Sequence, residues 1–261
     1  MLHKHDIDKY LNSIPPIPQT IKSTLAYLDS SDMIQAANIA KEDSAFVEYL
    51  SRVVNKPIFG FRDEIKNVNQ IFGILGLNRA KQVIYSYYMQ IILPHDWEVF
   101  DFTSRKFQDL QANLMIQWSR ILNALKIQDR DLEHSITLIP ASLIVCEMLF
   151  RDIKDTISIL RETKEITYDE ILYKMSGYRL LDVVEQIAKK WDFKKSVTAF
   201  VKSAIDGKSK RKPDVYLRLL LAYEMSKPYI IRSGLNDFFD FSQSFKEEEI
   251  IKFQNMIEMD I

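Results

Sequence analysis

The sequence predicts an all-α, multi-helical protein, and three observations carry that expectation. Apolar residues recur at helical spacing along most of the chain, without the apolar–polar alternation of a half-buried strand. Only 6 glycines and 8 prolines occur in 261 residues, which favours long regular elements with short connections. Finally, Leu138–Phe150 is apolar on every side of a helical wheel except at Ser142 and Glu147. A helix of that kind is buried on all faces. It is also shorter than the ~20 residues needed to cross a bilayer, so it is expected to be the central helix of a soluble domain. Pro140 suits its first turn or marks a kink.

Taken in order, Ile7, Tyr10 and Leu11 form a first helical stripe. Pro15, Pro16 and Pro18 then force an extended lead-in, because each fixes its own φ and biases the preceding residue away from helix. Ile21, Leu25 and Leu28 mark one face of the next helix, and Asp32 with Gln35 resembles a capping box for another, running through Lys41. Asp43 caps a helix with the stripe Phe46, Val47, Leu50, Val53 and Val54, which stops near Asn55 ahead of Pro57 and Gly60. Asn67 starts a helix carrying Val68, Ile71, Phe72 and Leu75. Gly76 is expected to close it as a left-handed C′ residue. Asn78 is expected to cap the next, which ends at Pro94.

Trp97, Phe100 and Phe102 fill a connection between two predicted subdomains, 1–94 and 95–261. Thr103 or Ser104 opens a long helix with Phe107, Leu110, Leu114, Trp118 and Leu122 inward, and Gln128–Asp131 reads as a polar turn. After the central helix come stripes at Ile153, Ile157 and Leu160, then a Thr167-x-x-Glu170 capping box whose helix ends at Gly177. Leu180 to Trp191, Val197 to Ala204 and Leu217–Met225 are further helices. The last, capped by Ser244 and Glu247, carries Ile250, Ile251, Phe253 and Ile257.

Composition narrows the function classes. Apolar residues at 47% and charged residues at 27% are ordinary for a globular chain. Lys plus Arg (35) nearly balances Asp plus Glu (36), which argues against general nucleic-acid affinity. A single cysteine, Cys146, excludes an internal disulfide and fits a reducing compartment. The N-terminus has no apolar leader and no stretch suits a membrane, so a cytoplasmic location is expected. Lys208, Lys210, Arg211 and Lys212 form a basic loop that could touch an anion, although a solvated loop is the simpler expectation.

The series Pro15-Pro16-Ile17-Pro18, Glu42-Asp43-Ser44-Ala45-Phe46, Val54-Asn55 with Phe59-Gly60, and Ile71-Phe72 with Leu75-Gly76-Leu77-Asn78 resembles the HD-related output domain (HDOD) family. The order and spacing of these pieces carry the likeness. Ser44 and Lys56 depart from it, standing where that family has proline and serine. The resemblance implies an N-terminal small-helix subdomain packed on an HD-like one, and a regulatory role in bacterial signalling. Pro16, Asp43, Asn55, Gly60, Leu75, Gly76, Gly177 and Trp191 are the signature positions, mostly structural.

That family is similar in its second half to HD-type phosphohydrolases, whose histidines and aspartates hold divalent metals that activate water. The resemblance places their paired His-Asp on Val145 and Cys146, a third ligand on Leu180, and a later His-His pair near Ala204 and Ile205. A late aspartate falls at Ala222-Tyr223, and Phe107–Asn113 contains no histidine. No cofactor and no metal are therefore expected.

The four histidines do not restore such a site. His3 and His5 sit at the terminus, His95-Asp96 follows Pro94 in a connection, and His134 is isolated. Glu147, on a buried helix, has to pair, protonate or reach a surface. Cys146 is expected to pack as a small apolar residue, since no adjacent base would activate it. The expected function is a non-enzymatic module with an unidentified protein partner or self-association. A divergent metal-dependent phosphohydrolase and a nucleotide- or nucleic-acid-binding regulator are the alternatives.

Overall fold

The computed structural model describes residues 2–100, 102–164, 166–225 and 245–257, and these contain helices and no strand. In chain order the helices are α1 (Lys4–Ser13), α2 (Gln19–Asp29), α3 (Met33–Ala40), α4 (Ser44–Val54), α5 (Val68–Ile91), α6 (Ser104–Ala124) and α7 (Arg130–Ser135). They continue as α8 (Ala141–Phe150), α9 (Lys154–Lys164), α10 (Tyr168–Ser176), α11 (Leu180–Lys190), α12 (Lys195–Ile205), α13 (Lys212–Met225) and α14 (Glu247–Ile257). The chain divides into two compact units, Pro15–Ile92 and Met1–Ile14 with Leu93–Ile261. Helix α1 thus belongs to the larger unit, whereas the sequence assigned all of 1–94 to one subdomain.

In the smaller unit α2 packs on α3, and α2, α3 and α4 each pack on α5. The helix starts are set by side chains. Asp32 accepts from the Gln35 amide at 3.0 Å, Asp43 from Phe46 at 2.9 Å, and Asn67 from Asn69 at 2.9 Å. Each satisfies an amide that has no partner within its helix. Phe46 and Tyr49 pack their rings against Tyr87 at 4.9 and 5.1 Å. In the lead-in Ile17 is buried while Pro15, Pro16 and Pro18 stay exposed.

Gly76 departs from the expected left-handed cap. Its φ of 68° is positive, but its ψ of 173° is extended; the helix from Val68 does stop there as expected, and a second helix runs on from the kink to Ile91 within α5. That backbone region is essentially confined to glycine. Asn78 caps nothing: its Oδ1 is buried and without a hydrogen-bond partner among the described residues.

In the larger unit α6 packs on α13 and α14, while α8 packs on α1 and α11, and α12 on α7, α11 and α13. Thr103 and Thr167 cap α6 and α10 as expected, accepting from Lys106 and Glu170 at 3.2 and 3.1 Å. Gly177 ends α10 at φ 78°. The polar turn at Gln128–Asp131 is instead the start of α7, with Asp129 accepting from Asp131 and Leu132. Three further details differ. Helix α8 starts only at Ala141 with Pro140 as its N-cap residue, Ile250 and Ile251 on α14 are exposed, and Ser244 lies outside the described residues. No helix among the described residues is long and apolar enough to cross a membrane.

Candidate functional site

Helices α8, α11 and α12 carry the five positions at which the resemblance expects metal ligands. Val145, Cys146, Leu180 and Ala204 are fully buried, and Ile205 is 8% exposed. Helix α8 packs on α11, and α11 on α12, so these side chains are part of the helix–helix core. None but Cys146 offers a donor atom. Burial, with the Asp169 and Glu147 charges adding to it, pushes the Cys146 thiol well up, so it stays protonated and a poor ligand. Among the described residues no three His, Cys, Asp or Glu side chains are grouped to hold an ion. This donor set does not fit a hard divalent cation.

The histidines lie elsewhere. His3 precedes α1, and His5 stands exposed in its first turn. His95 is exposed in the connection, and His134 is buried on α7.

Glu147 resolves differently from a surface-reaching acid or a simple salt bridge. Its side chain is wholly buried on α8, and its oxygens accept from the backbone amides of Glu98, Val99 and Phe100 at 2.7, 3.0 and 3.3 Å. Arg151, one turn on, approaches at 3.4 Å and also donates to the Asp96 carbonyl. A carboxylate with this many donors can be buried while charged, where an unpaired one could not. Glu147 therefore clamps the 96–100 connection onto the central helix. Trp97 sits in the same connection, 5.0 Å from the Phe102 ring and 5.8 Å from Phe107.

A cleft of about 740 Å³ opens where α10, α11 and α12 meet. Ile205 and Leu181 form its apolar part, and Asp169, Arg179, Asp182 and Lys202 its polar part. The Arg179 guanidinium reaches Asp169 at 2.6 Å, and Asp169 also accepts from the Leu180 amide at 2.8 Å. Lys202 bridges Glu185 at 2.5 Å and Asp182 at 2.9 Å. Hydrogen bonds from Lys202 and Lys189 hold the Glu185 carboxyl below its usual range. Burial raises the Asp182 carboxyl, but bonds from Lys202 and the Arg179 amide outweigh it and hold the group low. Each acid named here has a cationic partner, so the cleft presents no net pull on an anion.

The basic loop is likewise paired. Arg211 donates to the buried Asp214 at 2.7 Å, Lys208 lies 3.4 Å from Asp206, and buried Arg218 donates to the Ala204 and Ser209 carbonyls. Arg211 thus staples the loop through Asp214. Lys208 borders the cleft, and Lys212 begins α13 and is exposed. The hydrogen-bonded roles of Asp169 and Asp182 escaped the sequence. The one available signal was their position in the first turns of α10 and α11, where an acid can reach backbone amides.

Asp43 caps α4, Leu75 and Trp191 are buried, and Gly60, Gly76 and Gly177 hold positive φ. Asn55 receives the Ile65 amide at 2.8 Å and donates to the Ile65 and Ser51 carbonyls at 2.9 and 2.8 Å, closing the loop between them. Pro16 is exposed.

A family model of the HDOD domain matches residues 11–205. Among solved structures, one similar chain is an HDOD domain protein of unknown function from Geobacter sulfurreducens, 11% identical with a TM-score of 0.64, covering 97% of this chain and 87% of that one. Another, from Shewanella amazonensis SB2B, carries a provisional name as a phosphohydrolase. It is 15% identical with a TM-score of 0.63, covering 84% of this chain and 79% of that one. At these identities the likeness is one of fold. No curated protein matches the chain.

Proposed function

The chain belongs to the HDOD domain family, and from that premise we propose that it is a non-catalytic signal-transduction module that works through protein–protein contacts. The observation that supports this most directly is the filled core. Val145, Cys146, Leu180, Ala204 and Ile205 stand where an HD-type enzyme would need imidazoles and carboxylates, and all five are packed side chains. Activating a water for attack on phosphate requires a metal held with an open coordination position. Such a site would have to be carved out of the interface between α8, α11 and α12.

Two measurements on full-length protein purified without chelators test the proposal. Elemental analysis should find no stoichiometric Mn, Fe, Co, Ni or Zn. A hydrolysis screen of nucleotides and phosphate esters with added Mn²⁺ should give rates equal to those of buffer. Affinity purification from the native cell should then recover a protein that retrieves this chain in the reciprocal experiment. Stoichiometric metal together with hydrolysis that a chelator abolishes would establish a divergent phosphohydrolase instead.

A further inference from the structure

Helix α1 belongs to the larger unit and packs on α8 and α11, but the chain does not continue there. It runs out through Pro15–Pro18 into the smaller unit and returns to the larger one only at Leu93. The exit is extended at both ends, with ψ of 121° at Ile14 and 142° at Pro18, and its three prolines are exposed. No tight turn therefore ties α1 to the element that follows it, and its own packing has to hold it in place. That hold is thin. Among its ten residues only Ile7 is fully buried, with Leu2 and Ile14 buried on either side of the helix. A helix this short is not stable by itself in water, so α1 folds by docking. Its last turn has no basic residue. Lys190 of α11 reaches across instead and donates to the Leu11 carbonyl at 3.0 Å, from an exposed position. At the other end the Lys4 ammonium stands 5.9 Å from the centre of the Tyr178 ring, at the outer limit of a cation–π contact.

Two features work against docking. A crevice of about 360 Å³ lies between α1 and the end of α8, and Met148 on its wall is 39% exposed, so the two helices do not pack flush. The Tyr10 hydroxyl is turned into the core, toward Cys146, where it is sealed from solvent and has no hydrogen-bond partner among the described residues. Buried hydroxyls are ordinarily bonded. This one gives up its bonds to water when α1 docks and gains none in exchange, and it is rehydrated when α1 lifts. We propose that α1 is a releasable strap, which lifts from α8 and α11 as one unit while the rest of the fold persists. Its release uncovers a face of the two helices that carry Val145, Cys146 and Leu180, and the docked strap keeps that face closed to partners. The proposal goes beyond the functional reading above, and its test does not depend on the metal or hydrolysis measurements.

Amide hydrogen exchange of the full-length protein, followed by NMR, tests it. The hydrogen-bonded amides of α1 should exchange together, about a hundredfold or more faster than those of α8, and with a weaker dependence on urea, as a local opening does. Tyr10→Phe removes the sealed hydroxyl, keeps the ring, and should slow exchange in α1 about five- to a hundredfold, the worth of a buried donor left unpaired. Amides of α1 as slow as those of α8 would overturn the proposal, because α1 would then open only when the whole unit unfolds. Exchange graded from the terminus inward would overturn it as well, by showing fraying in place of a concerted release. So would exchange in α1 that Tyr10→Phe leaves unchanged or speeds, since the hydroxyl would then not oppose docking.

Discussion

In each unit a polar side chain closes a loop through several backbone hydrogen bonds, and Asn55 and Glu147 do so with opposite chemistry. In the smaller unit Asn55, half-buried at the end of α4, both gives and receives: its amide donates to Ile65 and Ser51 and its carbonyl accepts from Ile65. In the larger unit Glu147, wholly buried, only receives, from three consecutive amides at 98–100 and from Arg151. A neutral amide can be matched by a loop that turns back on itself and presents one N–H and one C=O. A buried carboxylate needs a run of donors pointing one way, and the backbone at 98–100 supplies it. The lesson concerns burial: the deeper acceptor is matched by three backbone amides and Arg151, where no water is at hand to replace them.

Removing the deeper clamp should have the largest effect. Glu147→Ala would leave three amides without an acceptor and a cavity on α8, at a cost of about 3–5 kcal/mol. Urea unfolding should show a lower midpoint at unchanged slope. Glu147→Gln separates charge from shape. It keeps the volume but points an N–H₂ donor at groups that are themselves donors, so it should recover less than half of the loss. Recovery to near wild-type stability would mean that the amides need only one acceptor oxygen.

The shallower clamp should respond more weakly. Asn55→Ala frees groups at a half-buried position, where water can reach some of them, and should cost about 1–2 kcal/mol. Asn55→Asp makes the contrast with Glu147 direct. The acceptor for the Ile65 amide survives, but a carboxylate then faces the Ile65 and Ser51 carbonyls, so it should be no more stable than Asn55→Ala. Amide-for-acid at 147 and acid-for-amide at 55 thus fail for opposite reasons. An Asn55→Asp variant as stable as wild type would break the comparison. One step further out, Asp43→Ala removes a single cap bond to Phe46 at the start of α4 and should cost about 1 kcal/mol, checked by the same unfolding curves.

How much of this could be read from the chain depends on how local each feature is. Asp43, Thr103 and Thr167 bond to amides three residues ahead, so residue type and spacing sufficed to name them. The all-α class followed from periodicity that only helices satisfy. Glu147 was legible as a problem but not as a solution, because its partners lie some 48 positions away in a connection with no regular pattern. Asn78 misled for the converse reason: it has the right residue type at a helix break, but Gly76 takes an extended ψ and the chain turns without offering Asn78 an amide. The expected ligand positions were legible only through the family pattern, since Val145, Leu180 and Ala204 are otherwise unremarkable core residues. The α10–α12 cleft is assembled from three helices, and no single stretch signals it.

The weakest of these polar groups is the exposed bridge of Lys202 to Glu185 and Asp182, and pH should read it out. Both carboxyls are held below their usual range. The stability they add is therefore present above the ordinary carboxylate pKa, about 4, and fades as pH falls through the lower folded-state values. Burial works to lower the Lys202 ammonium, but its bonds to Glu185 and Asp182 prevail and raise it. Its share is therefore present below about 10.4 and is lost as pH climbs through the raised value. Lys202 is 37% exposed and its partners are also open to water, so screening limits the whole bridge to about 1 kcal/mol or less. Comparing the melting temperatures of wild type and Lys202→Met at several pH values should give a small gap that is flat near neutrality and closes toward strong acid. The gap should also shrink in high salt, which the Glu147 clamp, shielded from solvent, should not feel. A Lys202 gap that persists at acid pH would mean that pairing with the two carboxylates is not what the substitution removes.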